Sequence, residues 1–183
     1  GVKCRGLLVQ FNKGVTVLIL KIVVIIFSVI EQLNQSLQAE SATVSGMIAA
    51  VDAVIVELRR LRTDERFHSI MLDTSTFIAR HDLDEVDVPR VRRPSRRYDT
   101  DSDAHVAPSV EEHYRAAYFE VIDNAISQLN ERFDKESPGL CTYLQLETML
   151  ISAVVDRTVC QKYPELNESD LSIQLQMFRN QYQ

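Results

Sequence analysis

Val15-Thr-Val-Leu-Ile-Leu-Lys-Ile-Val-Val-Ile-Ile-Phe-Ser-Val-Ile30 is the most apolar run in the chain, and its reading decides the fold. With Lys3, Arg5 and Lys13 ahead of it, the run imitates a signal peptide or a membrane span. Its sixteen residues fall short of the roughly twenty that cross a bilayer, and Lys21 interrupts it. No small-residue cleavage site follows. Instead Glu31-Gln-Leu-Asn-Gln-Ser-Leu-Gln38 carries on a polar helical pattern, so the run predicts a buried core helix ending near Gln38. A membrane-anchored helical protein is the alternative that length disfavours.

Working outward, a second helix is predicted from about Thr43 to Arg62, with Val44, Met47, Ile48, Val51, Val54, Ile55, Leu58 and Leu61 on one broad stripe. Arg59, Arg60 and Arg62 fall at its end, where cations oppose the negative end of the helix dipole. Thr63 caps a third helix, with Asp64 and Glu65 in its first turn and Phe67, Ile70, Met71, Phe77 and Ile78 on its buried face. A fourth starts at Ser109, which forms a capping box with Glu112 and leads a stripe from Tyr114 and Tyr118 through Ile122 to Phe133. Ser137-Pro-Gly139 ends that helix. A fifth is expected from Leu140 to Gln161, burying Leu144, Leu150, Ile151, Val154 and Val155. Asn167 with Asp170 starts a sixth, carrying Leu171, Leu175, Phe178 and Tyr182. The expectation is an all-α, irregular bundle of about six helices, in two groups of three joined by a long Arg-rich linker. In sequence this means helical segments 1–80 and 109–183 with a charged linker at 81–108. A first residue that is Gly, and an apolar stripe still open at Gln183, suggest a fragment of a larger protein.

The linker holds Val88-Pro-Arg-Val-Arg-Arg-Pro-Ser-Arg-Arg-Tyr98. Pro89 and Pro94 fix φ and restrain the residues before them, which favours an extended strap over a helix. Arg90, Arg92, Arg93, Arg96 and Arg97 therefore form a candidate nucleic-acid-binding set, since guanidinium groups fork onto phosphates. They can equally meet an acidic protein surface, or pair locally with the acidic blocks on either side.

Charge narrows the choice of surface. The net charge of −6 argues against a generic polyanion-binding protein, so any nucleic-acid contact is local. Residues 1–80 carry nine basic and seven acidic groups, residues 81–108 five and seven, and residues 109–183 six and twelve. Cys4, Cys141 and Cys160 are far apart and odd in number, so neither a disulfide framework nor a structural zinc site is expected.

No phosphate-cradling Gly loop, and no Ser/His/Asp or Cys/His set, can be picked out. The four histidines lack ligand spacing and read as surface residues. Glu120 and Asp123 share a helix face but find no third metal ligand. Asp99-Thr-Asp-Ser-Asp-Ala-His105 opens like a calcium loop, yet Ala104 stands where the turn glycine belongs and Val110 where the bidentate Glu belongs. The reading is of no enzyme, no cofactor and no metal.

Five stretches, in order, resemble markers of hAT-superfamily transposases and their domesticated, transposable-element-derived relatives, most of all the MYM-type zinc finger proteins. They are Glu31–Gln38, Leu61-Arg-Thr-Asp-Glu-Arg-Phe67, the strap itself, His113-Tyr-Arg-Ala-Ala-Tyr-Phe-Glu120 and Gln128-Leu-Asn-Glu-Arg-Phe-Asp134. The resemblance implies the helical insertion that interrupts an RNase H-like catalytic core, without the core's own acidic residues. It implies a non-catalytic, nuclear segment that organises DNA or partner contacts, the partners being the rest of the parent protein or further copies. Without the resemblance, the reading is a cytoplasmic helical adaptor for other proteins with no role on DNA. Val15–Ile30 is more uniformly aliphatic than that family's usual sequence.

Overall fold

The computed structural model describes residues 2–39, 43–88 and 109–182. The chain is all-α: the described residues form eight helices and no strand. These are α1 (Val2–Phe11), α2 (Gly14–Leu37), α3 (Val44–Leu61), α4 (Asp64–His81), α5 (Val110–Arg132), α6 (Pro138–Ser152), α7 (Arg157–Lys162) and α8 (Glu168–Tyr182).

Eight helices form where periodicity suggested about six, for two local reasons. A short helix, α1, precedes the apolar run, and the predicted fifth helix is broken into α6 and α7. At the break Ala153 takes the left-handed conformation (φ 55°), and Asp156 caps the new helix by accepting the Thr158 N–H at 2.8 Å. Ser137-Pro-Gly139 closes nothing; it opens α6, with Pro138 in the first turn, where a missing N–H costs no hydrogen bond.

The contacts divide the chain into two compact units. Unit 1 comprises Gly1–Glu31 and Val56–Ile126. Its central helix is α4, antiparallel to both α2 and α5. Against α2, the Gly14 N–H donates to the Asp84 carbonyl at 2.9 Å, while Lys21 pairs with Asp73 farther along. Against α5, Asp64 pairs with Arg115 at 3.0 Å, and His68 lies 3.2 Å from Glu111. Between these polar edges Leu18, Ile22, Phe67, Ile70, Tyr118 and Ile122 are buried, and the Phe67 and Tyr118 rings stand 5.6 Å apart. Thr74 is also fully buried, its hydroxyl satisfied by the Ile70 carbonyl at 2.7 Å.

Helix α2 is long and apolar enough, by length and composition, to cross a membrane. Leu18, Ile22, Ile26, Val29 and Leu33 commit one stripe of it to the interior. The other side is apolar too: Val24 is 64 % and Phe27 63 % exposed, with Ile19, Leu20 and Val23 also open. The expected core helix is therefore buried along one face only.

Unit 2 comprises Gln32–Ile55 and Ser127–Gln183. Helix α3 enters it with Thr43 accepting the Gly46 N–H at 3.1 Å, and with Glu147 of α6 accepting both the Ser45 N–H (2.9 Å) and its hydroxyl (2.6 Å). Lys135 reaches Asp52 at 2.8 Å. A smaller core of Met149, Val159 and Leu175 is wrapped by Leu146, Val155 and Leu171. Leu150, Ile151 and Val154, expected inside, are exposed because the break after Ser152 turns the chain before their stripe can be covered.

Candidate functional site

Arg90, Arg92, Arg93, Arg96 and Arg97 lie outside the described residues, as does the calcium-like stretch Asp99–His105. The residues on either side of them are described, and both flanks are fastened to unit 1. On the N-terminal flank Asp84 donates its N–H to Asn12 (3.0 Å) and accepts from Gly14 (2.9 Å), an isolated parallel bridge that stitches the chain after α4 to the start of α2. Gly14 is buried there, and a side chain on it would run into the Asp84 carbonyl. Three residues on, Asp87 offers its carbonyl to the Tyr114 hydroxyl at 2.8 Å. That bond joins the N-terminal flank to α5, the helix that follows the C-terminal flank.

The C-terminal flank is held by the predicted capping box. The Glu112 N–H reaches the Ser109 hydroxyl oxygen at 3.2 Å, and the Glu112 carboxylate accepts from the Ser109 N–H at 2.8 Å. The Ser109 N–H first, and then the Ser109 hydroxyl, which donates to the same carboxylate at 2.9 Å, draw the Glu112 carboxyl below the ordinary carboxylate range. Tyr114 is raised above the ordinary tyrosine value, chiefly by burial and then by Asp87. Residues 88 and 109 thus leave and rejoin the same unit from fixed positions.

The remaining cations sort into used and open. Arg62, expected as a helix-end charge, instead forks onto Asp123 at 2.6 and 2.8 Å and stacks over Phe119 with its guanidinium carbon 4.6 Å from the ring centre. Arg60 pairs within its own helix with Glu57. Arg59 and Arg66 are exposed and make no side-chain hydrogen bond or ion pair among the described residues.

Two surface depressions mark unit 1. The first is an apolar groove of about 600 Å³ between α2 and α4, lined by Phe11, Leu20, Val24 and Phe77 with the Lys21–Asp73 pair in it and Arg66 at one end. The Lys21 ammonium also sits 5.3 Å from the centre of the Phe77 ring. The second, about 640 Å³, lies beside the capping box and is lined by Asp64, Glu65, Glu111 and Glu112 together with His68 and Arg115. No group of three metal-ligating side chains occurs among the described residues. Reading Val15–Ile30 as a buried core helix leaves no room for this groove. Its signal was an apolar pattern continued all round the helix, more than one buried face requires. No family model, no curated protein and no solved structure matches this chain.

Proposed function

We propose that the chain is a non-catalytic helical module, related to the insertion region of hAT transposase-like nuclear proteins, that presents Arg90–Arg97 to the phosphates of DNA. In this reading residues 81–108 link the N-terminal and C-terminal helical segments, and the parent protein supplies any catalytic acids. The observation that supports it is the double anchoring of the flanks: Asp84 on Asn12 and Gly14, and Asp87 on Tyr114, just ahead of five arginines in eight residues. Fixed ends lower the entropy lost when a segment seats on a ligand. The five ordered stretches of resemblance supply the identity of that ligand.

Each arginine–phosphate contact releases counterions, so duplex affinity falls with salt at a log–log slope of roughly −0.9 per contact. Three to five contacts give slopes of about −3 to −4.5 with little sequence preference. Replacing Arg90, Arg92, Arg93, Arg96 and Arg97 together by Gln flattens the slope and leaves the helical circular dichroism unchanged. Wild-type protein that shows no salt-dependent binding excludes the reading. A protein adaptor without a DNA role is then favoured, a reading that the net charge of −6 and the acidic depression beside Ser109 support.

A further inference from the structure

The α2–α4 groove is walled by two antiparallel helices, and its open side chains recur at helical spacing. Leu20 and Val24 of α2 and Phe77 of α4 are 48 %, 64 % and 39 % exposed. Apolar side chains at such spacing along a groove suit the i, i+3, i+7 face of a third helix. At the end away from Phe77 stands Arg66, a cation with no side-chain partner among the described residues. The groove therefore selects a helix with an acidic residue first and apolar residues one and two turns later.

Helix α8 carries such a row on its outer face. Asp170, Ile173 and Met177 fall at i, i+3 and i+7; Ile173 and Met177 are 62 % and 66 % exposed, while Leu175 turns inward. Asp170 lies in the first turn, is exposed, and its carboxylate has no cationic partner among the described residues. From Asp170 to Met177 is seven residues, about 10 Å of helix, the same rise as from Val24 back to Val17 along the groove.

We propose that the α2–α4 groove of one copy receives the outer row of α8 from a second copy, with Asp170 on Arg66, Ile173 against Val24, and Met177 reaching towards Phe77. Each copy carries both a groove and an α8 row, so a second copy supplies a partner for each. A bilayer is the poorer occupant, because hydrocarbon would cover the Lys21–Asp73 pair and offer it no hydrogen bond. The proposal does not depend on DNA binding, since none of its residues lies between 89 and 108.

Sedimentation equilibrium on the full 183-residue chain tests it. Wild type self-associates, and Arg66→Asp or Asp170→Arg alone each puts like charges together and weakens the dimer at least about tenfold. Mixing the two variants restores a heterodimer, in which both groove-to-α8 contacts regain opposite charges, and combining them in a single chain restores the homodimer. Val24→Glu, at a position already open to water, abolishes association while circular dichroism stays helical. A wild type that is monomeric at every accessible concentration overturns the proposal. So do charge variants that associate as wild type does, a mixture that stays monomeric, or vesicle binding that Val24→Glu removes.

Discussion

The Tyr118 hydroxyl donates to the main-chain carbonyl of Leu61 at 2.7 Å, so a side chain of α5 closes the last turn of α3. Helix ends leave carbonyls without intrahelical partners, and this one sits beside a ring that is only 1 % exposed. The same carbonyl also accepts the Thr63 N–H at 2.9 Å, so it keeps one partner if the hydroxyl is removed. Tyr118→Phe is therefore expected to cost about 1 kcal/mol in urea unfolding, the net worth of one hydrogen bond. Tyr118→Ala adds a cavity beside Phe67 and should cost about 3–5 kcal/mol. Burial raises the Tyr118 hydroxyl above its ordinary value, so its contribution is intact below the unfolded value and lost as pH rises through the folded one. Alkaline unfolding should accordingly be shallower in Tyr118→Phe than in wild type.

Gly14 is the second place where a single atom decides packing. Its N–H holds the Asp84 carbonyl, and a β-carbon there would press on that same oxygen and on the Ile78 side chain. Because the obstacle is backbone, it cannot rotate away. Gly14→Ala should destabilise unit 1 by about 1–3 kcal/mol despite the better helix propensity of alanine. Amide hydrogen exchange should quicken at Asp84 and Gly14 first. A variant as stable as wild type would mean that the bridge between α4's exit and α2's start is not a fixed anchor.

Where the sequence was legible, the signal was local. Thr63 and Ser109 cap the helices assigned to them, and Ile48, Val51, Val54, Ile55, Leu58 and Leu61 are all buried as their spacing required. Within a helix, periodicity reports one face reliably and says nothing about what covers it. That is why Leu150, Ile151 and Val154 were expected inside and lie outside, and why α2's second apolar side passed as core. Asp156-Arg-Thr158 did carry a capping pattern that could have split the fifth helix; the run of apolar residues before it masked the break. The Arg62–Asp123 and Ser45–Glu147 contacts join residues 61 and 102 positions apart, and no pattern in either segment announces the other. The arginine set itself lies outside the described residues, so the part of the site that was legible is its flanks.

Glu147 makes unit 2 sensitive to acid. The Ser45 hydroxyl, then the Ser45 N–H, hold its carboxyl below the ordinary carboxylate range. The unfolded chain therefore takes up the proton first as pH falls. The stabilisation is fully present above the unfolded carboxylate value and disappears as pH drops through the lowered folded one. Glu147→Gln should lower the melting temperature at neutral pH and flatten its fall between neutral and acid pH. Ser45→Ala should act in the same direction, and the two together should cost less than their sum, because they break one contact.

Arg62 separates a structural arginine from the arginines proposed to meet DNA. It sits two residues from Arg60 and three from Arg59, so a basic cluster on DNA would use all three. Yet its guanidinium is committed twice, to both oxygens of Asp123 and to the face of Phe119. Asp123 answers with a carboxyl drawn below its ordinary value, first by the hydrogen bond from Arg62. Lysine carries the same charge but cannot fork onto a carboxylate while stacking on a ring. Arg62→Lys should therefore lower the melting temperature, as should Asp123→Asn, and the double variant should be less than additive. Neither change should alter the salt slope for duplex DNA, because neither arginine fork nor carboxylate faces phosphate in this arrangement. A slope that loses about one contact's worth, roughly 0.9, in Asp123-paired Arg62→Gln would instead put Arg62 on the DNA.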